Sequence, residues 1–480
     1  MTVADHAQDT AAVDRLEASF AAQKTAFLKD PYPSAEARKR NVQAVADMLV
    51  ANRMRIREAM SEDFAVHPEL FADMVEVLGM CARAQWAIDH IDEWMEPEAR
   101  EADPALYGTG RAFVRWEPKG VIGNMVPWNF PYDLSMGPLI DSLAAGNRVI
   151  IKPSEHTPAA SALMQDMVSD TFDRDLVDVA VGGVDLARAF THLRWDHLLY
   201  TGNPRIAREV AKAAAENLVP VTLELGGKCP AIIAPDGVTE RTVRNILGTK
   251  MIKNGQMCTS IDHCLVPREQ VSEFVDLAKR HMADVMPNYS ASDNCPGIIN
   301  HQQYGRLEAL LAEARDAGVE IVQLDDQGLF NPRTRQMPLS ILVEPGDELG
   351  VMQEEIFGPL LPVRGYETLD EAIDYVNAHE RPLALYVMTD DPELADDTLR
   401  RTSSGGAAVN ACAMQGAIPG LGFGGVGESG IGRHHGVDGF REFSNPRGIF
   451  IRGAGDSIDA FYAPYDADTE KMVEGAFAAR

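Results

Sequence analysis

The chain has no uninterrupted apolar run approaching the ~18 residues that a membrane-spanning helix needs. Its first residues, MTVADHAQDT, lack the basic start and apolar stretch of an export signal. With both features missing, a cytoplasmic location is the expectation. Positive charge is also scarce: 44 Lys and Arg stand against 72 Asp and Glu, a net charge of −28. A surface so acidic repels phosphate backbones and anionic lipids, which disfavours nucleic-acid and membrane partners. Cysteines number six, scattered and without a CxxC, so reduced thiols are expected rather than a disulfide framework. The adjacent His263 and Cys264 suggest metal ligands at first sight. No second pair completes a tetrahedral site, so no metal is expected.

What is present is a long α/β pattern. At 480 residues the chain can hold two or more domains with large cores. From residue 120, short apolar runs alternate with helical stretches: GVIGNMVP (120–127), RVIIKP (148–153), LVDVAV (176–181), HLLYTG (197–202) and VPVTLELGG (219–227) read as strands. Fully apolar short strands separated by helices indicate a parallel sheet covered on both faces. A doubly wound domain of that kind binds ligands beyond the carboxyl ends of its strands. A second α/β series follows. AIIAP (231–235), HCLVP (263–267), VEIVQ (319–323), SILVE (340–344) and LLPVRGY (360–366) are its strands, and 242–255 reads as an amphipathic helix ending at Gly255. The seam falls near 225–227. About 100 mainly helical residues precede the first series. FVRWEP (113–118) and GIFIR (448–452) read as strands outside both sheets, pairing with each other or across an oligomer interface.

One glycine motif is set aside. Residues 422–427 fit GxGxxG literally, but Pro419 and Gly420 interrupt any preceding strand, so the strand–turn–helix context is missing. A glycine-rich loop is the better reading.

Four places could carry chemistry. Cys258, in NGQMCTS (254–260), follows a glycine that lets backbone amides approach an oxyanion. A thiol of ordinary pKa is only a few per cent thiolate at neutral pH and needs activation; a cysteine near Met257 and Ile261 is otherwise packing. Glu224 in TLELGGK stands among strand-like apolar residues. A carboxylate there is costly unless paired or protonated, and burial raises its pKa toward the range of a general base. Hydrogen bonds to the amides of Gly226 and Gly227 are the structural alternative. Asn129, in PWNFP (127–131), offers an uncharged NH₂ donor suited to an oxyanion, or else caps a turn. Lys152 and Glu155, in IKPSE (151–155), could meet ribose hydroxyls, with Glu155 repelling a 2′-phosphate, or form an exposed ion pair.

Taken together, PWNFP, IKPSE, YTGN (200–203), LELGGK (223–228), GQMC (255–258), EEIFGP (354–359) and FGGVGESGIGRHHG (423–436) occur in an order that resembles the aldehyde dehydrogenase superfamily from about residue 110 to 450. DHLLYTG (196–202), GGKCPA (226–231) and KMIKNGQMC (250–258) are similar to the class-3-like branch and, within it, to the coniferyl aldehyde dehydrogenases. The resemblance implies the aldehyde dehydrogenase fold: a Rossmann-like cofactor domain (1–225, interrupted near 103–118 by an oligomerisation strand), an α/β catalytic domain (226–412), and a return segment with a C-terminal oligomerisation strand (413–480). It implies Cys258 as nucleophile, Asn129 as oxyanion donor and Glu224 as the base that activates water. Lys152, Glu155, Trp128, Asn203, Glu355 and Phe357 are implied cofactor contacts, the cofactor being NAD, with NADP possible. Phe130, Leu134, Met257 and Phe423 are implied tunnel residues for a small aldehyde, aromatic or phenylpropenal, and a homodimer or homotetramer is implied. A medium-chain aliphatic aldehyde, CoA acylation or ester hydrolysis is the alternative activity. Two departures stand out: Ala207 and Pro204 after the TG turn where a glycine is familiar, and Leu421-Gly422 where proline commonly precedes Phe423.

Overall fold

A computed structural model of the chain describes residues 3–325 and 328–478. Two sheets carry the site. The first has six strands in the order Gly430–Ile431, Val221–Leu225, His197–Gly202, Val121–Met125, Arg148–Lys152 and Val177–Val179. All pairs are parallel except the edge strand Gly430–Ile431, which returns from far along the chain to pair antiparallel with Val221–Leu225. The strands are buried almost throughout, and Asp133–Ala144, Pro158–Thr171, Val184–His192 and Pro204–Glu216 are the helices that join them. This is the doubly wound pattern read from the apolar runs.

The second sheet has seven strands, ordered Glu320–Gln323, Ser340–Val343, Leu360–Tyr366, His263–Pro267, Pro230–Ile233, Ala384–Met388 and Gly406–Val409. It is parallel apart from Glu320–Gln323. The two stray strands pair with each other: Arg111–Pro118 runs antiparallel to Ser444–Ile451 over eight residue pairs, and Glu98–Arg100 adds a third strand. The first 100 or so residues are mainly helical, as expected, and the helices Ala35–Ala51, Arg53–Phe64 and Met80–Met95 pack on the first sheet's helices. Among the described residues no helix is long and apolar enough to cross a membrane.

One expectation fails in detail. The helix expected over 242–255 runs only from Glu240 to Met251. After it Lys253 (φ 51°), Asn254 (φ 53°) and Gly255 (φ 78°) turn left-handed in succession. The reason is tertiary: Lys253 is drawn inward to a buried carboxylate, which a continuing helix would not allow.

Candidate active site

The residues singled out in the first sheet sit at, or just past, the carboxyl ends of its strands. Glu224 is the penultimate residue of Val221–Leu225, Lys152 the last of Arg148–Lys152, and Asn129 lies beyond Val121–Met125. Cys258 arrives from the second domain's side, on the irregular segment between the helix Glu240–Met251 and the strand His263–Pro267.

Glu224 is buried, and neither carboxylate oxygen has a hydrogen-bond partner. Hydrogen bonding to the Gly226 and Gly227 amides is therefore not what holds it. Burial pushes its carboxyl well above the usual range, only partly opposed by Arg433. Cys258 is half-buried and free. Burial raises its thiol first, then the charges of Glu224 and Glu355, while the Thr259 amide pulls the other way. A carboxyl near enough for its charge to raise the thiol's pKa is near enough to exchange a proton with it.

Asn129 is buried and donates one Nδ2 hydrogen to the carbonyl of Gln256, 3.2 Å away. An amide NH₂ carries two donors, so this bond orients the group beside the cysteine segment and leaves a second N–H. Gln256 is itself fixed. Its amide donates to the carbonyls of Lys253 (2.8 Å) and Gly297 (3.1 Å), and its oxygen accepts from the Ile299 amide (2.9 Å). Gly255 permits the approach: a Cβ there would lie 2.1 Å from the Gly358 carbonyl oxygen, at a φ few L-residues adopt. Gly255→Ala is expected to cost about 1–3 kcal/mol in backbone strain alone and to displace Cys258. Thermal unfolding and turnover should both fall; unchanged values for both would remove this constraint.

The remaining residues are placed less uniformly. The Lys152 ammonium is buried and pairs with the half-exposed Glu155 at 3.1 Å. Burial alone would raise the Glu155 carboxyl, but Lys152, the Glu155 backbone amide and His156 together hold the group below its usual value. Asn203 is exposed, and its side-chain oxygen caps the helix Pro204–Glu216 by accepting from the Arg205 amide at 2.8 Å. Pro204 thus occupies the first turn of that helix, where proline is tolerated, and Ala207 turns into the core beneath the sheet. Trp128 meets Phe357 edge-on, ring centroids 5.3 Å apart, with Phe357 held at φ 49°. Glu355 is partly buried against Gly226, where any Cβ would fall 2.2 Å from its oxygen, and desolvation pushes its carboxyl up to about 8. Phe130 and Leu134 are buried in the first core with Met257 at its edge, whereas Phe423 packs with Cys258 on the second. Phe423 also lines a cleft of about 260 Å³ with Leu421 and Gly422. The glycine loop 422–427 has no strand before it and no α-helix after it.

Three contributors went unread in the sequence. Lys228 donates to the carbonyls of Val351 (2.8 Å) and Glu354 (3.1 Å) and pairs with Asp262, whose other oxygen accepts the Ile356 amide at 2.8 Å. The two clamp the segment that carries Glu355 and Phe357. Thr201, beside Glu224 in the sheet register, has a buried hydroxyl without a partner. A lysine within LELGGK and a threonine next to the end of a strand were visible signals; Asp262 was not.

The dinucleotide fit rests on these observations. A buried cation, a partnerless buried hydroxyl and a helix N-terminus line the carboxyl edge of the first sheet, where polar ribose and phosphate groups are bound in doubly wound folds.

Residues 2–449 match the model of the aldehyde dehydrogenase family, and the chain belongs to that family. It is an NAD(P)-dependent aldehyde dehydrogenase, an oxidoreductase with the fold that the superfamily resemblance implied. Among relatives, it is 41% identical over 432 residues to a protein of Caulobacter vibrioides named "Probable coniferyl aldehyde dehydrogenase", covering 89% of each chain. It is 35% identical to the "Coniferyl aldehyde dehydrogenase" of a Pseudomonas species, covering 94% of each. Among solved structures, the substrate-bound state of Staphylococcus aureus AldH superposes with a TM-score of 0.89 at 29% identity, covering 96% of this chain and 99% of that one. A Mycobacterium tuberculosis aldehyde dehydrogenase complexed with NAD+ gives 0.81 at 27%, covering 92% and 90%.

Proposed function

We propose that the protein oxidises a phenylpropenal such as coniferaldehyde to its carboxylic acid through a thioester on Cys258. The observation that supports this reading is a half-buried thiol that feels the charge of a partnerless buried carboxyl, with an amide donor bonded to the residue two positions before the thiol. Glu224, with its raised pKa, accepts the thiol proton. The Cys258 sulfur then forms a bond to the aldehyde carbon, and the carbonyl π pair moves onto oxygen. Asn129's free N–H and the Cys258 amide meet that oxyanion, an interaction worth about 10²–10³ in rate per donor. NAD(P), which Lys152, Glu155, Glu355 and Phe357 would hold at the edge of the first sheet, would supply the acceptor for the hydride that the tetrahedral carbon must lose to become a thioester. After releasing the thiol proton to solvent, Glu224 takes a proton from water, whose oxygen attacks the thioester, and the sulfur leaves as thiolate with the acid as product. A positioned base favours water over CoA as acceptor, which argues against an acylating enzyme.

Lys152 and Glu155 hold the adenosine ribose in this reading, Glu355 and Phe357 the nicotinamide half beside Trp128. Asn203 acts by capping the helix at that edge. Phe130, Leu134, Met257 and Phe423 shape an apolar passage for an aromatic substrate. The domain limits 1–225, 226–412 and 413–480 follow the two sheets, with the three-stranded sheet as the surface for a homodimer or homotetramer.

Rates of NADH formation test the substrate, with coniferaldehyde, cinnamaldehyde, vanillin, benzaldehyde, hexanal and acetaldehyde compared. Coniferaldehyde should show the highest kcat/KM, exceeding hexanal by at least about tenfold, the discrimination that one or two favourable apolar contacts supply. Hexanal turning over faster would refute the assignment. For the cofactor, Glu155 favours NAD by repelling a 2′-phosphate. Glu155→Gln should therefore raise kcat/KM with NADP relative to NAD, and an unchanged ratio would sink the repulsion argument.

A further inference from the structure

A buried ion pair that the reaction does not use lies directly behind the site. Lys253 and Glu76 are both fully buried, Nζ to Oε1 3.2 Å, although 177 residues separate them in sequence. The Lys253 ammonium is boxed by aromatic rings, 4.6 Å from the centroid of Phe64, 4.9 Å from Phe130 and 5.9 Å from Phe71. The other oxygen of Glu76 accepts the backbone amides of Tyr132 (3.0 Å) and Asp133 (2.8 Å). One carboxylate therefore holds two separate segments. Through Lys253 it grips the left-handed turn that leads to Cys258, and through the two amides it grips the stretch just after Asn129. The Asn129-to-Gln256 hydrogen bond closes the same circuit from the other side.

The backbone around Glu76 is unusual in a way that fits. Glu76 lies in an eight-residue π-helix, Ala72–Gly79. Such widened turns are rare and concentrate at functional sites, because they re-aim side chains that an α-helix would point elsewhere. On the same π-helix the buried Asp73 is paired with Arg53 and Arg57 on the neighbouring helix Arg53–Phe64. The two acids of the segment thus hold different neighbours, Asp73 that helix and Glu76 the turn before Cys258.

A buried ion pair is weak evidence of stabilisation, since an apolar pair of similar volume is often as stable. Its better-attested use is to fix one arrangement among several. We propose that Glu76 and Lys253 are positioning residues, setting the distance between the Cys258 sulfur and the Asn129 amide so that both reach one carbonyl group. This rests on the roles assigned above to Cys258 and Asn129. Neither residue of the pair touches substrate; each acts through the segment it holds. A misplacement of about 1 Å in such a pair of groups costs on the order of 10²-fold in rate.

The test is the single-turnover rate of NADH formation at saturating aldehyde and NAD, for Glu76→Gln, Lys253→Met, the two combined, and each in an Asn129→Ala background. The double variant leaves no lone buried charge, so it reports on positioning rather than on a stranded ion. It should fold, keep its KM for NAD within about twofold, and lose about 10–10²-fold in single-turnover rate. In the Asn129→Ala background the further loss should be under about threefold, because a misplaced donor and an absent donor cost the same once only. A folded double variant at the parental rate overturns the proposal. So does a loss that multiplies in full on top of Asn129→Ala, or a double variant that cannot fold, since either makes the pair a general structural element. Cys258→Ala run alongside separates the two ideas: turnover without Cys258 would refute the roles themselves, whereas an inactive Cys258→Ala beside a fully active double variant would refute positioning alone.

Discussion

Cys258→Ala is expected to lower aldehyde oxidation by at least about 10⁴-fold, the scale on which removing a covalent nucleophile acts, with the Kd for NAD unchanged. No other thiol can substitute. Cys229 is fully buried, its sulfur bonded to the Cys258 carbonyl and the Ala384 amide, and burial raises its pKa. Cys264, Cys295 and Cys412 are likewise buried with raised thiols, and Cys81 packs among the N-terminal helices' core. Cys258 is partly open and near the Glu224 carboxyl, whereas Cys81, the other partly open thiol, lies among the N-terminal helices away from the sheet edge. Its own raised pKa leaves little thiolate at neutral pH, so Glu224 speeds its deprotonation by accepting the proton. Titrating NAD by fluorescence and assaying NADH release checks both halves of the expectation. Residual turnover within tenfold of the parent would identify a different nucleophile.

Glu224→Gln is expected to form thioester once and then stall. Stopped-flow traces should show a single burst of NADH approaching one equivalent per site, followed by a steady rate lower by about 10²–10⁴-fold, the span general bases contribute. Thiol deprotonation also slows in this variant, so the burst itself is slower than in the parent. A linked stability effect has a definite sign. A carboxyl whose folded pKa lies above its unfolded value favours folding at low pH and loses that contribution as pH rises through the folded value. Glutamine carries no such dependence. The variant should therefore melt at a higher temperature than the parent above neutral pH, the gap narrowing toward pH 5. Equal steady-state rates for variant and parent would refute the deacylation role, and a melting gap that widened on acidification would refute the burial argument.

How much of this was legible in the sequence follows the physics of each element. The five apolar runs of the first sheet could be read because a strand buried on both faces needs uninterrupted hydrophobes. Ala384–Met388 was equally apolar but was not read, and Gly406–Val409 is too small and glycine-led to signal a strand. Glu98–Arg100 is short and charged and becomes a strand only by pairing with Arg111–Pro118. Helix 240–251 was extended too far because local propensity continues through Lys253, whereas the buried Glu76 that ends it lies 177 residues away. Cys258, Glu224 and Asn129 stand out through their motifs, GQMC, LELGGK and PWNFP, which together resemble those of the aldehyde dehydrogenases; taken alone, Cys258 and Asn129 read more readily as packing and a turn residue. The clamp of Lys228 and Asp262 and the Glu76–Lys253 pair were not, since long-range charge pairing leaves no local pattern.

The most direct measurement is the mass of Glu224→Gln after one turnover with coniferaldehyde and NAD, followed by peptide mapping. The account predicts one added acyl group, carried on the peptide containing Cys258 and released by hydroxylamine. An unmodified Cys258 after a full NADH burst, or an acyl group on any other residue, would contradict it.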